Sequence, residues 1–267
     1  MSNFASRIVV IAVGLPVVLG LVWLGGWWLL VLSAVIGFLA LHEFYGMTRP
    51  LRPIVIAGYV GLALTLLAFQ EGGFVWVVAG IFATVALSFV LKGLADTKQS
   101  ATVSVGGTVL GVVWIGLGLV GLMALRALPD HGRLAAFTVL LAVWAGDTFA
   151  FFVGRLVGRH KLAPTISPGK TWEGFVGGTA ATIFVTFVAL YKDRDEFLSI
   201  GQALLLGLAL AAAAPLGDLF ESLLKRDMGV KDSGRLLAGH GGVLDRVDAQ
   251  LFAAVAGFYV ILAFGKV

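Results

Sequence analysis

Nine apolar runs divide this chain, at about residues 8–24, 27–46, 54–69, 74–91, 105–126, 134–153, 174–191, 198–216 and 249–265. Each is close to the roughly 17 to 25 residues that a helix needs to cross the hydrocarbon core of a bilayer. Lipid offers open backbone groups no hydrogen-bond partner, so a crossing segment must be a helix or a strand of a closed barrel. The runs lack period-two alternation, which removes the barrel. The expectation is an all-α, polytopic integral membrane protein with about nine transmembrane helices. Composition agrees, with 59% hydrophobic residues, 13% charged residues and a mean hydropathy of +0.99, values outside the range of a water-soluble domain. The first run lacks a small-residue cleavage pattern and leads straight into the second, so it reads as a retained span. Cysteine is absent, which excludes disulfides and thiolate metal sites.

Basic residues set the expected orientation. With nine spans, fourteen of the 19 Lys and Arg residues fall on the N-terminal side. By the positive-inside rule the N-terminus is cytoplasmic, as are the two richest loops, 154–173 and 217–248. We expect one continuous membrane domain, with residues 1–133 supplying N-terminal helices and 134–267 the catalytic helices and both loops. Gly106, Gly107, Gly111, Gly116, Gly118 and Gly121, at near-helical spacing, read as points of close helix contact. His42 and Glu43, at the end of the second run, read as interfacial. The basic residues lie beside acids and membrane rather than on a solvated basic face, so no nucleic-acid partner is expected.

Chemistry is expected where polar residues interrupt this apolar chain. Asp147 lies within an apolar run, about six residues before the loop at Gly154, and an ionisable group at that depth is a functional candidate by default. The following loop carries Ser167, Lys170 and Thr171 among four bases, two prolines and a Gly-rich exit, a composition suited to binding an anion. Its Ser-Pro-Gly-Lys-Thr run lacks the preceding strand and glycine spacing of a nucleotide phosphate loop. In 217–248, Asp218, Glu221, Ser222 and Lys225 fall at i, i+3, i+4 and i+7, one face of a helix if that helix continues past Gly217. Asp245 and Asp248 are likewise spaced i, i+3 beside Arg246. Carboxylates from several helices suit a hard cation such as Mg²⁺, whose usual partners are one or two carboxylates plus substrate phosphates. Their interleaving with bases suits a metal-bound nucleoside triphosphate. His240 reads equally as a phosphate contact or proton carrier and as a structural histidine at a glycine turn.

The run from Ser222 to Asp248, SLLKRDMGVKDSGRLLAGHGGVLDRVD, resembles the signature of the phosphatidate cytidylyltransferases, or CDP-diacylglycerol synthases. The matching positions are Ser222, Lys225-Arg226, Lys231-Asp232, Gly234, His240-Gly241-Gly242, Asp245-Arg246 and Asp248. Ala238 departs from the proline, glycine or serine usual in that family. WAGDTFAFFVGRLVGRHKL, SPGKTWEGFVGG and Gly217-Asp218 also resemble it, so the likeness covers roughly residues 144 to 248. It implies a homodimeric enzyme of the cell membrane, active on its cytoplasmic face. CTP and phosphatidic acid would be condensed to CDP-diacylglycerol and pyrophosphate with Mg²⁺, and a second cation is an option. On this reading Asp218, Asp245, Asp248, Lys225, Arg226 and Lys231 are the catalytic candidates. Asp218 and Asp245, then Asp248 and Asp147, are the candidate metal ligands. Ser222, Asp232, Arg235, His240, Gly241, Gly242, Arg246, Ser167, Lys170 and Thr171 are the candidate substrate-binding residues. Other CTP-using lipid enzymes, a polyprenol kinase or an ether-lipid cytidylyltransferase, would share this headgroup chemistry. A cation-coupled transporter would also use intramembrane carboxylates, but no internal inverted repeat is visible.

Overall fold

The computed structural model describes residues 3–95, 100–234 and 241–266. Its helices are α1 (Asn3–Leu24), α2 (Gly26–Met47), α3 (Val55–Gly72), α4 (Phe74–Leu94), α5 (Ala101–Gly111), α6 (Leu117–Arg126), α7 (Gly132–Val157), α8 (Trp172–Leu190), α9 (Ile200–Asp227) and α10 (Leu244–Ala263). A π-helical turn, Val112–Gly116, joins α5 and α6 into one span, Ala101–Arg126. Among the described residues eight helices are long and apolar enough to cross a membrane. The first expected span is also helical, lying within α1. Apolar side chains project outward on these helices, Trp76, Phe82 and Phe89 of α4 among them. That outward face suits a hydrocarbon solvent, as expected of a polytopic membrane protein.

The chain forms two compact units, Met1–Met123 with Met228–Val247, and Ala124–Asp227 with Asp248–Val267. In the first, Gly25 and Gly73 each form a one-residue joint between helices, with φ of 70° and ψ near −163°. That region of backbone space is essentially restricted to glycine, which explains how helices can follow one another so closely. α3 and α4 cross at two reciprocal Gly–Thr contacts, Gly61 against Thr84 and Gly80 against Thr65. Each threonine hydroxyl donates to the carbonyl four residues back, at 2.8 and 2.9 Å, so neither is stranded in the core. Gly111 meets Leu41 and Phe44 so tightly that a Cβ would lie 2.8 Å from both, which supports the expected packing role there; Gly106 faces open space.

The second unit is built around a seam of small residues. A Cβ on Gly178 of α8 would lie 2.8 Å from the Gly146 carbonyl and 2.9 Å from the Ala150 Cβ of α7, while one on Gly174 would lie 2.6 Å from the Ala150 carbonyl. Residues 146, 150 and 154 recur every four positions on α7, so one helical stripe admits the partner backbone at close range. Between these helices lies an antiparallel hairpin, β1 (Lys161–Ala163) paired with β2 (Ser167–Thr171). This region was expected as a loop, because the strands are too short to leave a periodic pattern. Thr171 closes the hairpin by capping α8, its hydroxyl accepting from the Gly174 N–H at 3.1 Å. Glu173 reaches back to accept from the N–H groups of Arg159 and His160 and meets His160 Nδ1 at 2.6 Å.

The apolar run that ends near residue 216 continues as helix to Asp227, through Pro215 and Gly217, which meets the condition for a shared Asp218–Lys225 face. Gly217 is the point of closest approach to α10, where a Cβ would lie 2.5 Å from the Asp248 carbonyl and 3.2 Å from the Ala249 Cα. α9 thus carries Asp218, Glu221, Ser222 and Lys225 on one continuous helix.

Candidate active site

The continuation of α9 puts Asp218, Glu221, Ser222 and Lys225 on one helical face, as their spacing requires. Ser222 donates to Asp218 Oδ1 at 3.3 Å, and Lys225 Nζ sits 2.7 Å from Glu221 Oε2. Lys170, on β2, reaches across to Asp218 Oδ2 at 2.8 Å. From α7, Asp147 lies within electrostatic range of Asp218 and Lys170. From α10, Asp248 faces Glu221 and Asp218. Arg226 Nε donates to the Ile166 carbonyl at 3.1 Å, tying the end of α9 to the hairpin turn.

Burial is graded across this cluster. Glu221 is 1% exposed and Asp248 8%, whereas the Asp218 side chain is 37% exposed and Asp147 lies open at the surface. Four carboxylates therefore meet two ammonium groups, with the deeper acids behind and the accessible ones in front. All the ligand atoms are oxygens, and the excess of negative charge is what a hard cation would neutralise, so the donor set fits Mg²⁺. Asp147, Asp218 and Asp248 are the acids that would share it, with Lys170 and Lys225 beside them; among the described residues, the carboxylate and histidine ligand atoms that already converge within 4.8 Å are instead those of His131, Asp193 and Glu196. Next to Asp147, Gly146, Thr179, Thr182, Ala214 and Pro215 line a narrow cleft between α7, α8 and α9.

A second polar cluster lies in the first unit, on the loop leading to α10. Asp245 Oδ2 accepts from the Gly242 N–H at 2.8 Å and the Ser233 N–H at 3.2 Å, closing the loop on itself. Gly241 has φ +79°, a conformation costly to any residue with a Cβ, and its Cα faces the Asp245 carboxylate. Glu43 of α2 is only 4% exposed. Its Oε2 accepts from the Leu244 N–H at 2.9 Å and the Ser233 hydroxyl at 3.4 Å. The interfacial placement expected for Glu43 is thereby corrected: Ala40 and Met47, three before and four after it on the same helical face, are both buried. That flanking pattern was the available signal.

A family model for the cytidylyltransferases matches residues 5–264. The chain belongs to the cytidylyltransferase family. A phosphatidate cytidylyltransferase of Staphylococcus haemolyticus is 36% identical over 251 residues, 92% of this chain and 93% of the relative. One from Staphylococcus aureus is 34% identical over 255 residues, again 92% and 93%. One from Mycobacterium bovis is 33% identical over 271 residues, 96% of this chain and 87% of the relative. The match includes the N-terminal half, where the sequence reading found only hydrophobic helices of suitable length.

The residues expected of a cytidylyltransferase site divide between the two clusters. Asp147, Lys170, Asp218, Ser222, Lys225 and Asp248 come together in the second unit, joined by Glu221, whose burial its spacing alone did not reveal. Arg226 is exposed there, and Ser167 stands half-buried on β2. Thr171 is buried, with its hydroxyl engaged as the α8 cap. Gly241, Gly242 and Asp245 belong to the loop cluster, while Lys231, Asp232 and Arg246 are exposed along the same segment. Arg235 and His240 lie outside the described residues.

Proposed function

We propose that this protein transfers the cytidylyl group of CTP to phosphatidic acid, releasing pyrophosphate and forming CDP-diacylglycerol for phospholipid synthesis. The observation that carries the reading is the Asp147–Lys170–Asp218–Glu221–Lys225–Asp248 cluster, drawn from three helices and a hairpin of a membrane-spanning cytidylyltransferase-family chain. The exposed rings of Phe149, Phe151 and Phe152 flank Asp147 on α7. An acyl-chain substrate could lie against such a surface while its phosphate meets the charged cluster. On the positive-inside reading this end of the protein faces the cytoplasm, where CTP is found.

A phosphatidate oxygen attacks the α-phosphorus of CTP in line. The bond to the bridging oxygen of the β-phosphate breaks, and pyrophosphate leaves with the electron pair. The nucleophile is already an anion, so no strong base is needed. The barrier lies in bringing two anions together and in the charge that builds on the leaving group. Lys170 and Lys225 address the first difficulty, each held by a carboxylate so that its ammonium is aimed before substrate arrives. Asp147, Asp218 and Asp248 would hold a cation. Mg²⁺, when bound, neutralises triphosphate oxygens and stabilises the departing pyrophosphate. Ser222 keeps Asp218 in one rotamer through its hydroxyl. A homodimer is proposed from the family resemblance alone, and crosslinking in native membranes tests it.

The test is transfer of label in detergent with phosphatidic acid and Mg²⁺. Label from α-labelled CTP should enter the lipid, and label from γ-labelled CTP should leave as pyrophosphate. Lipid labelled only from the γ-position would make the protein a lipid kinase.

A further inference from the structure

We propose that Glu43 is a positioning residue for residues 228–234 and 241–247, and that its buried carboxylate sets the spacing at which Lys231, Asp232, Asp245 and Arg246 are presented to CTP. The inference rests on the cytidylyl-transfer reading for its link to CTP, and on geometry for the rest.

Two carboxylates hold the same two points of this loop. Asp245 takes the backbone N–H groups of Ser233 and Gly242, at 3.2 and 2.8 Å. Glu43, about 190 residues earlier in the chain, takes the Ser233 hydroxyl at 3.4 Å and the Leu244 N–H at 2.9 Å. The loop's two ends, at Ser233 and at Gly242–Leu244, are therefore pinned together by one acid from within the segment and one from outside it. Lys231 and Asp232 directly precede the first pinned point, and Asp245 and Arg246 directly follow the second. Fixing the pins fixes the spacing of these charges.

The fit around Glu43 is tight. A Cβ on Gly234 would run into Glu43 Oε1, one on Gly242 would lie 2.5 Å from Oε2, and glycine stands at both positions. Glu43 Oε1 is buried without a hydrogen-bond partner among the described residues. A core built for stability alone would be expected to fill this position with an apolar side chain. An acid retained there, with its other oxygen spent on the loop, is better explained by what it holds. Asp245 alone does not replace it, because among the described residues Glu43 is what reaches the N–H of Leu244, the first residue of α10.

The experiment compares Glu43→Leu, Glu43→Gln and Ser233→Ala with the parent in the label-transfer assay, varying CTP. Glu43→Leu should raise KM for CTP roughly tenfold or more, the consequence of losing two hydrogen bonds that order the loop. Ser233→Ala, losing one weaker arm, should raise it two- to threefold. Glu43→Gln keeps a carbonyl for the Leu244 N–H and should stay within about threefold of the parent. KM for phosphatidic acid should change little. A merely structural role would reduce the amount of folded enzyme, lowering apparent kcat at unchanged KM, so KM for CTP within twofold of the parent in Glu43→Leu overturns the proposal. Hydrogen exchange of peptides covering 228–234 and 241–247 gives an answer that does not need activity. Exchange at least tenfold faster in Glu43→Leu, with the core of α3 and α4 unchanged, supports the positioning role even if the parent transfers no label; unchanged exchange refutes it.

Discussion

The Glu221–Lys225 pair offers a quantitative test of how the cluster is held. Glu221 is 1% exposed and the Lys225 side chain 13%, with 2.7 Å between the charged atoms. At that distance, and with an effective dielectric of about 20, two unit charges attract by about 6 kcal/mol before desolvation is subtracted. Removing one partner of a buried pair leaves the other uncompensated and typically costs about 3–5 kcal/mol. The two removals are not equivalent here, because Glu221 also faces Asp248 and Asp218. Losing its charge relieves repulsion among the acids, whereas losing Lys225 leaves them all exposed to one another. We therefore expect Glu221→Gln to cost about 2 kcal/mol, Lys225→Met about 4, and the double variant about 3, well short of the sum. The assay is equilibrium unfolding in detergent micelles. Nucleotidyl transfer should stay abolished in the double variant although stability is regained, because the ammonium that meets phosphate is gone. A double variant costing the full sum, about 6 kcal/mol, would show that the pair is not coupled. A double variant that transfers label normally would remove Lys225 from the chemistry.

Three further outcomes are expected. Gly178→Ala must part α7 from α8, since its Cβ would lie 2.8 Å from the Gly146 carbonyl; it should cost about 1–3 kcal/mol and reduce activity, whereas Gly106→Ala, facing open space, should be neutral or slightly stabilising in the same unfolding assay. Gly241→Ala places a Cβ where φ is +79° and the Asp245 carboxylate is 3.0 Å away; it should destabilise by at least about 1 kcal/mol and slow transfer, read by thermal melting and label incorporation together. Chelation with EDTA should abolish transfer and added Mg²⁺ should restore it, with undiminished transfer in chelator counting against a metal-bound triphosphate.

The helices were legible because each apolar run has to satisfy its own backbone in lipid, and that constraint acts on single segments. The face formed by Asp218, Glu221, Ser222 and Lys225 was legible for the same reason, since helical spacing alone puts these residues side by side. Less could be read where neighbours from distant sequence decide the structure. Whether α9 continues past residue 216, where charge begins, was left open by spacing; Gly217 packs against α10 and the helix runs on. The hairpin at 161–171 is held by the Thr171 cap and the reach of Glu173 back to His160, which no periodicity announces. Thr171, grouped with the anion-binding residues by composition, spends its hydroxyl on that cap. Glu43 looked interfacial because it ends an apolar run, while its burial depends on Ser233 and Leu244, far along the chain. The joining of Asp147 to Asp218 and Lys170 depends on the Gly146–Gly178 seam, whose small residues set the helix separation without any chemical signature of their own.

Nucleotidyl transfer is expected at the cluster around Asp218. The most direct measurement is the rate at which α-labelled CTP labels phosphatidic acid in Asp218→Asn, with folded protein matched to the parent by melting curve. Asparagine keeps the shape and the acceptor for Ser222 but removes the charge that holds Lys170. The account predicts a fall of at least about 100-fold, the scale on which removing one electrostatic group from a reaction centre is felt. Label entering the lipid at the parent's rate would place the chemistry elsewhere in the protein.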